Sequence, residues 1–541
     1  MKRAKRPLQN LFVLVSIVFL AACGGGGKKP NVPIPTVVAV LEKPYADVGQ
    51  HATPTIIPNL TVTPSRNEPT FEIPQPEATA TPQSPVINPT IPDIRPPTND
   101  NSYPTGNVPT VSFQPTPAPS PTATLPSPTA NPSLPIGLAS GSAVFTLDRE
   151  IRTLENQSFT AVNTDQSAVW TRNTAQLSLL SPSANCSGQS SSLTNSLGSG
   201  LNACLLSMEG STLSLSGGNV TTLGAGSGGL FALGNASKVV SNQTSVTTAG
   251  DGARGASAEN GGSLELNGVN LTTVGPNSSG VSINLGGSNA MLRDTVITTS
   301  GANSPCFYSN VTLRTENGSC TASQAEAAIV ENNGSLELRD SDLASNVLTR
   351  WGVLLYQSTS RDARTAEAEF TMRGGVLNVT DVNSPVFFVT NVNAVITLGE
   401  VLVRTTSGVI LKAGGQDNWG TIGENGGSVS LMLTHQELKG DIQTDRLSSV
   451  VIQMRENSVL EGAINPVDTA RSLALSLDAT SSWTLTRNSY VPQISGVVLV
   501  DNRVVNITGN NFNLYYDPAL SSTLGGNTYQ LTGGGILAPH P

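Results

Sequence analysis

The sequence is poor in charged, aromatic and histidine residues. Of its 541 residues, 12% are charged, 4% are aromatic and three are histidines. So few histidines leave little from which to build a serine–histidine–aspartate triad or a histidine-ligated metal site. The net charge of −9, with no basic stripe along the chain, argues against binding to nucleic acid. We therefore expect no cofactor, no metal ion and no nucleic-acid partner.

Proline is also scarce over most of the chain, and its distribution divides the sequence. Of the 36 prolines, 26 lie between Pro30 and Pro135, whereas nine are spread over residues 138–541. Because proline fixes φ and removes a hydrogen-bond donor, residues 23–137 are predicted to be a disordered, Pro/Thr-rich linker. This segment would be a stalk above a membrane or a tether with no further role. The remainder is rich in Gly, Ser, Thr and Asn, which is typical of β-rich extracellular proteins.

The N-terminus has the features of a targeting signal. Basic residues at positions 2–6 precede an apolar segment, residues 11–20, that is too short to span a bilayer comfortably. The Leu-Ala-Ala-Cys-Gly that follows resembles a bacterial lipobox, which implies a signal peptide over residues 1–22 and a diacylglyceryl group on Cys23. An ordinary secretory signal with an incidental cysteine is the alternative. Lipidation would anchor the chain in a bacterial cell envelope, and we expect it at the outer membrane or cell surface. In a Gram-negative envelope, Gly24 after the cysteine suggests the outer membrane.

Four further cysteines form two close pairs in the sequence. Export into an oxidising space predicts disulfides, and local pairing joins Cys186 to Cys204 and Cys306 to Cys320. Each bond would close a short polar loop. In the chain-entropy model each contributes roughly 3 kcal/mol. Zinc binding is the competing interpretation, although no histidine is near either pair and neither pair has the spacing of a zinc knuckle.

Residues 210–301 contain one repeat written four times. The copies read GSTLSLSGGNVTTLG, NASKVVSNQTSVTTAG, GGSLELNGVNLTTVG and GSNAMLRDTVITTSG. Their paired threonines begin at nearly equal intervals, at Thr221, Thr247, Thr272 and Thr298. A fixed period in the twenties, with short alternating apolar segments between turn residues, is typical of a solenoid.

The alternation within the repeat predicts which side chains point inward. Leu264 and Leu266 share one face of their strand, and Glu265 faces the other way. Each threonine pair is likewise expected to place one side chain inside and one outside, with the hydroxyls hydrogen-bonding along the stack. We therefore predict an all-β fold over residues 138–541, a right-handed single-stranded parallel β-helix of three short sheets with about a dozen coils.

The start of the repeat recurs later in the chain. A turn residue followed by alternating apolar residues occurs at Gly210, Gly261, Asn333, Gly374, Gly426 and Glu456. The intervals widen between Ser288 and Ser335, and again between Val376 and Ser428. Each of these wider intervals is close to two coils, or to one coil with an inserted loop.

Two segments near the C-terminal end are distinctive. Residues 482–486 read SWTLT and residues 526–531 read GNTYQL. Together with the repeat texture of residues 140–541, they resemble the β-helix passengers of pertactin-like autotransporter adhesins. The resemblance implies an adhesin, and we expect caps within residues 137–165 and 485–541 because a parallel β-helix exposes strand edges at its ends. We expect no translocator barrel, so lipid anchoring would replace barrel anchoring.

A β-helix is also the scaffold of polysaccharide lyases and glycoside hydrolases, which gather acidic and basic residues on one face. Arg293 and Asp294 occupy the same point of their repeat as Arg339 and Asp340, and Asp342 follows closely. Stacking would bring these residues into a mixed-charge patch that could hold an ion or ligand. The simpler interpretation is a solvated turn with Arg–Asp pairing.

These observations favour a lipid-anchored surface adhesin or interaction protein that binds a glycan or a surface protein. Its expected contact loops are residues 186–204, 303–323 and 357–368, where the period breaks. A polysaccharide lyase or glycoside hydrolase is the alternative, and a purely structural envelope protein is the third candidate.

Overall fold

The computed structural model describes residues 141–348, 350–358 and 366–541. These residues form an all-β parallel solenoid with coils of about 25 residues, which confirms the predicted fold class. The predicted signal peptide, Cys23 and the linker over residues 23–137 lie outside the described residues. In the described part of the chain, no helix is long and apolar enough to cross a membrane.

Three parallel sheets run along the solenoid, as predicted, and most coils contribute one strand to each. Sheet 1 consists of Ser142–Asp148, Gln166–Arg172, Leu205–Met208, Leu230–Leu233, Ala256–Glu259, Val281–Asn284, Phe307–Ser309, Ala328–Glu331, Val353–Tyr356, Phe387–Thr390, Val409–Ala413 and Asp441–Thr444. Sheet 2 consists of Ile151–Glu155, Gln176–Leu180, Thr212–Ser216, Lys238–Asn242, Ser263–Asn267, Asn289–Arg293, Thr312–Glu316, Ser335–Ser345, Glu367–Val379, Asn393–Gly399, Ser428–Thr434, Ser449–Arg455, Ser472–Leu477 and Gln493–Ser495. Sheet 3 consists of Ser158–Ala161, Ser183–Cys186, Asn219–Thr222, Ser245–Thr248, Asn270–Thr273, Val296–Thr299, Ser319–Ala322 and Leu402–Thr405.

Two long strands, Ser335–Ser345 and Glu367–Val379, turn the corner between sheets 2 and 3 and belong to both. This arrangement corrects the predicted repeat start at Gly374, which lies at the corner inside the second strand. Val376, the first apolar residue of this alternating segment, pairs with Leu402 of sheet 3. The GGVLNV segment is therefore a sheet 3 strand, and it is not equivalent to the sheet 2 segments with which its pattern grouped it.

The repeat start predicted at Glu456 is likewise not equivalent to the sheet 2 segments. Its strand, Val459–Glu461, belongs to a nine-stranded sheet that forms the C-terminal part of the solenoid. The other strands of this terminal sheet are Glu437–Lys439, Ser482–Thr484, Ser489–Tyr490, Leu499–Val500, Arg503–Thr508, Leu514–Tyr516, Tyr529–Thr532 and Ile536–Pro539.

The solenoid has about 16 turns, more than the dozen expected. The expectation was too low because several coils are shorter than those of the regular repeat. Asn289 pairs with Thr312, and Thr312 pairs with Ser335. Both steps along the chain are shorter than the step from Ser263 to its partner Asn289 in the preceding coil. The wide interval between Ser288 and Ser335 is therefore two coils.

The two ends of the solenoid differ. Over its described residues, the region predicted to contain the N-terminal cap is a regular coil, whose three strands within residues 142–161 pair in parallel with the next coil. At the C-terminal end, Leu499–Val500 pairs antiparallel with Arg503–Thr508, and Tyr529–Thr532 pairs antiparallel with Ile536–Pro539. Antiparallel pairs of this kind occupy strand edges that would otherwise be exposed.

The interior of the solenoid is one continuous apolar core. Leu264 and Leu266 are fully buried, and Glu265 between them is partly exposed, as the alternation predicted. In the neighbouring coil Leu292 stacks on Leu266, and Ala290 stacks on Leu264. Each coil thus buries its apolar residues against the coils on both sides, which is the source of stability in a solenoid.

The glycine that ends each of the four repeats forms a column at the end of sheet 3. A Cβ atom added to Gly250 would lie 2.0 Å from the carbonyl oxygen of Gly224, and one added to Gly275 would lie 1.9 Å from that of Gly250. A Cβ on Gly301 would meet the carbonyl oxygen of Gly275 at 1.8 Å. The backbones of successive coils therefore touch directly, which only glycine permits at these positions.

The threonine pairs alternate as predicted, with one side chain buried and one exposed or half-exposed. Their hydrogen bonding differs from the prediction. The buried Thr248 donates to the carbonyl oxygen of Ala253, and Thr273 donates to that of Ser278. Both acceptors belong to the loop that follows the threonine in its own coil, so these hydroxyls do not form a chain of hydrogen bonds from one coil to the next.

Candidate functional site

The outward face of sheet 1 differs from the other surfaces because it is largely buried. Its central outward side chains stack in one row, which we call the outer row, in the order Trp170, Leu206, Phe231, Ser257, Ser282, Tyr308, Ile329, Leu354, Phe388, Lys412 and Gln443. Strand residues flanking this row, such as Phe387 and Val389, belong to the interior core. Sheet 1 therefore carries apolar side chains on both faces, and something must cover the outer ones.

The insert at residues 186–204 covers the N-terminal part of the outer row. It contains helix α1, Leu193–Ser199, which ends at Gly200 in the left-handed region. A Cβ on Gly200 would lie 3.0 Å from Leu206 and 3.1 Å from Phe231, so the end of the helix packs directly on the row. The sequence predicts a projecting contact loop here. The insert folds back instead because Leu206 and Phe231 give it an apolar surface to cover.

Both predicted cysteine pairs lie at disulfide distance. The Cα atoms of Cys186 and Cys204 are 5.7 Å apart, and this pair closes the insert that carries helix α1. The Cα atoms of Cys306 and Cys320 are 6.0 Å apart. The second pair lies within an ordinary coil, because residues 303–323 contribute strands to all three sheets. The predicted contact loop at 303–323 is therefore wrong.

A second apolar group, which we call the aromatic cluster, lies further along the outer row. The ring of Trp351 stacks on that of Phe388 at a centroid distance of 4.5 Å and an interplanar angle of 8°. The ring of Trp419 lies 4.6 Å from that of Tyr356 and 5.9 Å from that of Trp351. Phe388 is 3% exposed and Trp351 is partly exposed, so Trp351 shields the row and presents part of its own ring to solvent.

The backbone next to Trp351 is anchored by an ion pair. Arg350 Nη2 lies 2.9 Å from Glu326 Oε1, and the Glu326 side chain is fully buried. Arg350 also donates to the side-chain oxygen of Asn303 at 2.6 Å. A charged pair with this little solvent contact fixes the chain strongly, since breaking it would leave a buried charge without its partner.

Beside the aromatic cluster, the outer row opens into a groove of about 300 Å³. Trp351 and Phe388 form its apolar side, and Lys412 and Gln443 continue the row across it. The turn at residues 465–469 also lines the groove. The groove therefore combines an aromatic platform with amide and ammonium groups, which is a composition typical of small-molecule and sugar sites.

The walls of the groove are held by their own hydrogen bonds. Asp445 accepts from the Gly415 N–H at 2.8 Å, from the Leu447 N–H at 3.0 Å and from the Ser448 hydroxyl at 2.7 Å. Asn465 accepts from the N–H groups of Thr469 and Ala470, at 3.0 and 3.2 Å, and so closes its own turn. Both Asp445 oxygens are thus engaged with the protein, and the groove is formed before any ligand arrives.

The predicted charge patch lies elsewhere, on the exposed face of sheet 2. Arg293 Nε is 3.3 Å from Glu316 Oε2, and Arg339 Nη2 is 2.8 Å from Glu337 Oε1. The hydrogen bond from Arg339 holds the pKa of Glu337 below its ordinary value. A depression of about 330 Å³ lies over these ion pairs, but the charged side chains that line it already pair with one another. Exposed pairs of this kind contribute about 0–1 kcal/mol each.

The aspartates of the patch have structural positions. Asp294 and Asp340 lie at the corner between sheets 2 and 3 with left-handed φ angles of 49° and 46°, a conformation that Asp tolerates better than most residues. Asp342 accepts a hydrogen bond from the Val376 N–H at 3.0 Å. The arginines therefore pair with Glu316 and Glu337, and not with the aspartates as the sequence suggested. Among the described residues, no group of three or more His, Cys, Asp or Glu side chains is arranged to hold a metal ion.

The groove was not predicted from the sequence. One signal was available, because Trp351 and Trp419 are two of only four tryptophans in the chain. Both lie where the coil period widens, next to inserts that the regular repeat does not contain. The predicted contact loop at 357–368 begins beside Tyr356 of the same cluster, although residues 359–365 lie outside the described residues.

Comparison with known proteins finds no match to this chain among protein-family models, curated proteins or solved structures. The likeness to pertactin-like passengers therefore has no support beyond the residues quoted for it and the parallel β-solenoid itself. The groove and the surfaces around it are the basis on which a function can be inferred.

Proposed function

We propose that this protein is a glycan-binding adhesin of the bacterial cell surface, and that the groove beside the aromatic cluster is its ligand site. The observation that carries the proposal is the position of Trp351, which is stacked on Phe388 and lines a groove that also contains Lys412 and Gln443. A pyranose ring has an apolar C–H face and a polar rim of hydroxyls. An aromatic ring beside amide groups suits both parts of such a ligand.

The solenoid favours a polymer over a single sugar. Neighbouring strands of sheet 1 are about 4.8 Å apart, so each outer-row side chain follows the last at a regular distance. A chain of sugars lying across the strands could contact Trp351, which covers Phe388, and then Lys412 and Gln443 in succession. Extended binding surfaces of this type are characteristic of repeat proteins.

Anchoring at the outer membrane or cell surface through a lipid on Cys23 is part of the same proposal. It is supported by the basic and apolar N-terminal segments and by the Leu-Ala-Ala-Cys sequence. Expression of the chain with a labelled fatty acid tests it. We expect label in the wild-type protein and none in C23S, and equal labelling of both would contradict the lipid anchor.

The alternative is a polysaccharide lyase or glycoside hydrolase on the same scaffold. Such an enzyme needs acidic or basic groups that are free to transfer protons. Among the described residues that line the groove, Asp445 is the one carboxylate, and its oxygens already accept three hydrogen bonds. This engagement favours binding without turnover.

The test is glycan-array binding by the full-length chain, followed by analysis of retained glycans for shortened products. We expect binding without cleavage, and loss of binding in W351A. Truncation of an anchoring aromatic residue typically costs about 2 kcal/mol, or about thirtyfold in Kd. Y515A is the matched control, because Tyr515 also stacks on a neighbouring ring, that of Tyr490, but lies outside the groove.

Equal loss of binding in W351A and Y515A would show that the ligand does not occupy the groove. Cleavage of the retained glycan would instead replace the adhesin with the enzyme.

A further inference from the structure

We propose that the ligand is an acidic glycan, and that Lys412 binds a sugar carboxylate in the groove. This inference rests on the proposed function, and it adds the chemical class of the ligand. It follows from the position of Lys412, the one cation that lines the groove among the described residues, and from the uncharged side chains on both sides of it.

Some cations on the other faces have acidic partners supplied by a neighbouring coil, whereas others, such as Arg373 and Arg404, are in none of the ion pairs of the described residues but lie outside the groove. Lys238 Nζ is 2.7 Å from Glu265 Oε1, and Lys439 Nζ is 3.0 Å from Glu461 Oε1. Glu265 lies on the strand that pairs with that of Lys238, one place further along the same face, so the stack itself brings the charges together. On sheet 2, Arg293 pairs with Glu316, which lies directly beside it in the next coil.

Lys412 lies in the groove and is flanked by uncharged side chains. Its register neighbours on sheet 1 are Phe388 on one side and Gln443 on the other, neither of which carries a charge. None of the ion pairs found among the described residues includes Lys412. The nearby carboxylate in the groove wall, Asp445, engages its oxygens with N–H and hydroxyl donors of the surrounding loops. Lys412 is exposed and faces the groove, where a ligand could approach it.

The arrangement fits a carboxylate carried on a sugar ring. The exposed part of the Trp351 ring would receive the apolar face of one sugar, and the Lys412 ammonium would pair with the carboxylate of that sugar or the next. Gln443 presents an amide on the far side of Lys412, which suits a neighbouring hydroxyl. A charge-assisted hydrogen bond is about twice as strong as a neutral one, so this pair would set ligand preference.

The net charge of −9 makes a non-specific attraction to acidic polymers unfavourable. An acidic glycan would therefore bind because of a local cation and not because of the overall field. This separates the proposal from simple ion exchange, and it predicts that one lysine controls the preference.

The test compares a uronate tetrasaccharide with its carboxyl-reduced counterpart, using the full-length chain and isothermal titration. We expect the wild-type protein to bind the uronate form about tenfold more tightly, which is one charge-assisted contact of about 1.4 kcal/mol. K412Q should bind both forms equally, at the wild-type affinity for the reduced form. K439Q is the control, because it removes the same charge from an exposed lysine outside the groove.

The two proposals fail in different ways. If wild-type protein binds both forms equally, the carboxylate class is overturned and glycan binding stands. If K439Q abolishes the preference as K412Q does, the preference comes from net charge and the role of Lys412 is overturned. If neither tetrasaccharide binds, this inference is overturned, and so is the groove as a site for glycans of this class, uronate or carboxyl-reduced. Equal thermal unfolding midpoints of the three proteins would show that the substitutions leave the fold intact.

Discussion

The substitution Gly250→Ala should destabilise the solenoid strongly, because Gly250 lies in the column where successive backbones touch. The added Cβ would lie 2.0 Å from the carbonyl oxygen of Gly224 and 2.4 Å from its carbonyl carbon. Ordinary van der Waals contact begins near 3.4 Å. The clash is with backbone on both counts, so no side chain can rotate away and the coils must move apart.

The magnitude follows from the cost of overpacking. Extra methyl groups in a well-packed core cost about 1–3 kcal/mol, and more where the backbone must shift. For G250A we expect the upper end of this range, about 3 kcal/mol. The neighbouring glycines of the column, Gly224 and Gly275, limit movement in both directions.

The assay is urea unfolding followed by circular dichroism, with amide hydrogen exchange to locate the loss. Exchange should increase first in residues 224–275, because each coil depends mainly on its neighbours. Gly198→Ala is the matched control. A Cβ there has nothing within 4 Å, and its position within helix α1 predicts a gain of about 0.5–1 kcal/mol. If G250A unfolds at the same urea concentration as the wild-type protein, the direct backbone contact between coils is wrong.

Two further predictions concern stability. Replacing Cys186 and Cys204 together by alanine should lower the local free energy of unfolding by roughly 3 kcal/mol. Hydrogen exchange should then show residues 193–199 released from sheet 1 before the coils open. Unchanged protection of these residues would mean that packing alone holds the insert. Ionised Asp478 should stabilise the fold above about pH 4. Burial raises the pKa of its carboxyl group, but hydrogen bonds to the carboxylate, including one from the Glu456 N–H, outweigh burial and hold the pKa below its ordinary value. This stabilisation is lost as pH falls from the unfolded pKa through the folded one, so the difference in melting temperature between wild-type protein and D478N should be present at pH 7 and shrink below about pH 4, whereas a constant difference would refute a contribution from the ionised carboxylate.

The fold could be predicted from the sequence because its causes are local and repeated. The period fixes the coil, and the alternation of Leu264, Glu265 and Leu266 fixes which side chains enter the core. The sheet to which a strand belongs could not be predicted in the same way, and the assignment at Gly374 was wrong. Strands of sheets 2 and 3 share the same pattern of a turn residue followed by alternating apolar residues, so the pattern cannot say which sheet a strand enters.

The groove could not be predicted because its residues come together through coils of unequal length. Trp351, Phe388, Lys412 and Gln443 are unevenly spaced along the chain, and no fixed period connects them. Their register depends on the size of each insert, and insert length carries no periodic signal. Regular coils form the scaffold, and irregular ones place the groove.

The apolar outer row also explains why an insert folds back on the solenoid. A β-sheet with large side chains on both faces must cover both, since exposed apolar area on this scale promotes association. The 186–204 insert covers Leu206 and Phe231 with helix α1. Further along, Trp351 performs the same task for Phe388, but it leaves part of its ring exposed beside Lys412.

Binding of an acidic glycan through Lys412, in the groove beside Trp351, is tested most directly by a crystal structure of the protein with a bound uronate tetrasaccharide. We predict a sugar ring against Trp351 and a carboxylate oxygen within ion-pair distance of Lys412 Nζ. A tetrasaccharide bound on another face of the solenoid, or in the groove with its carboxylates turned away from Lys412, would contradict this prediction.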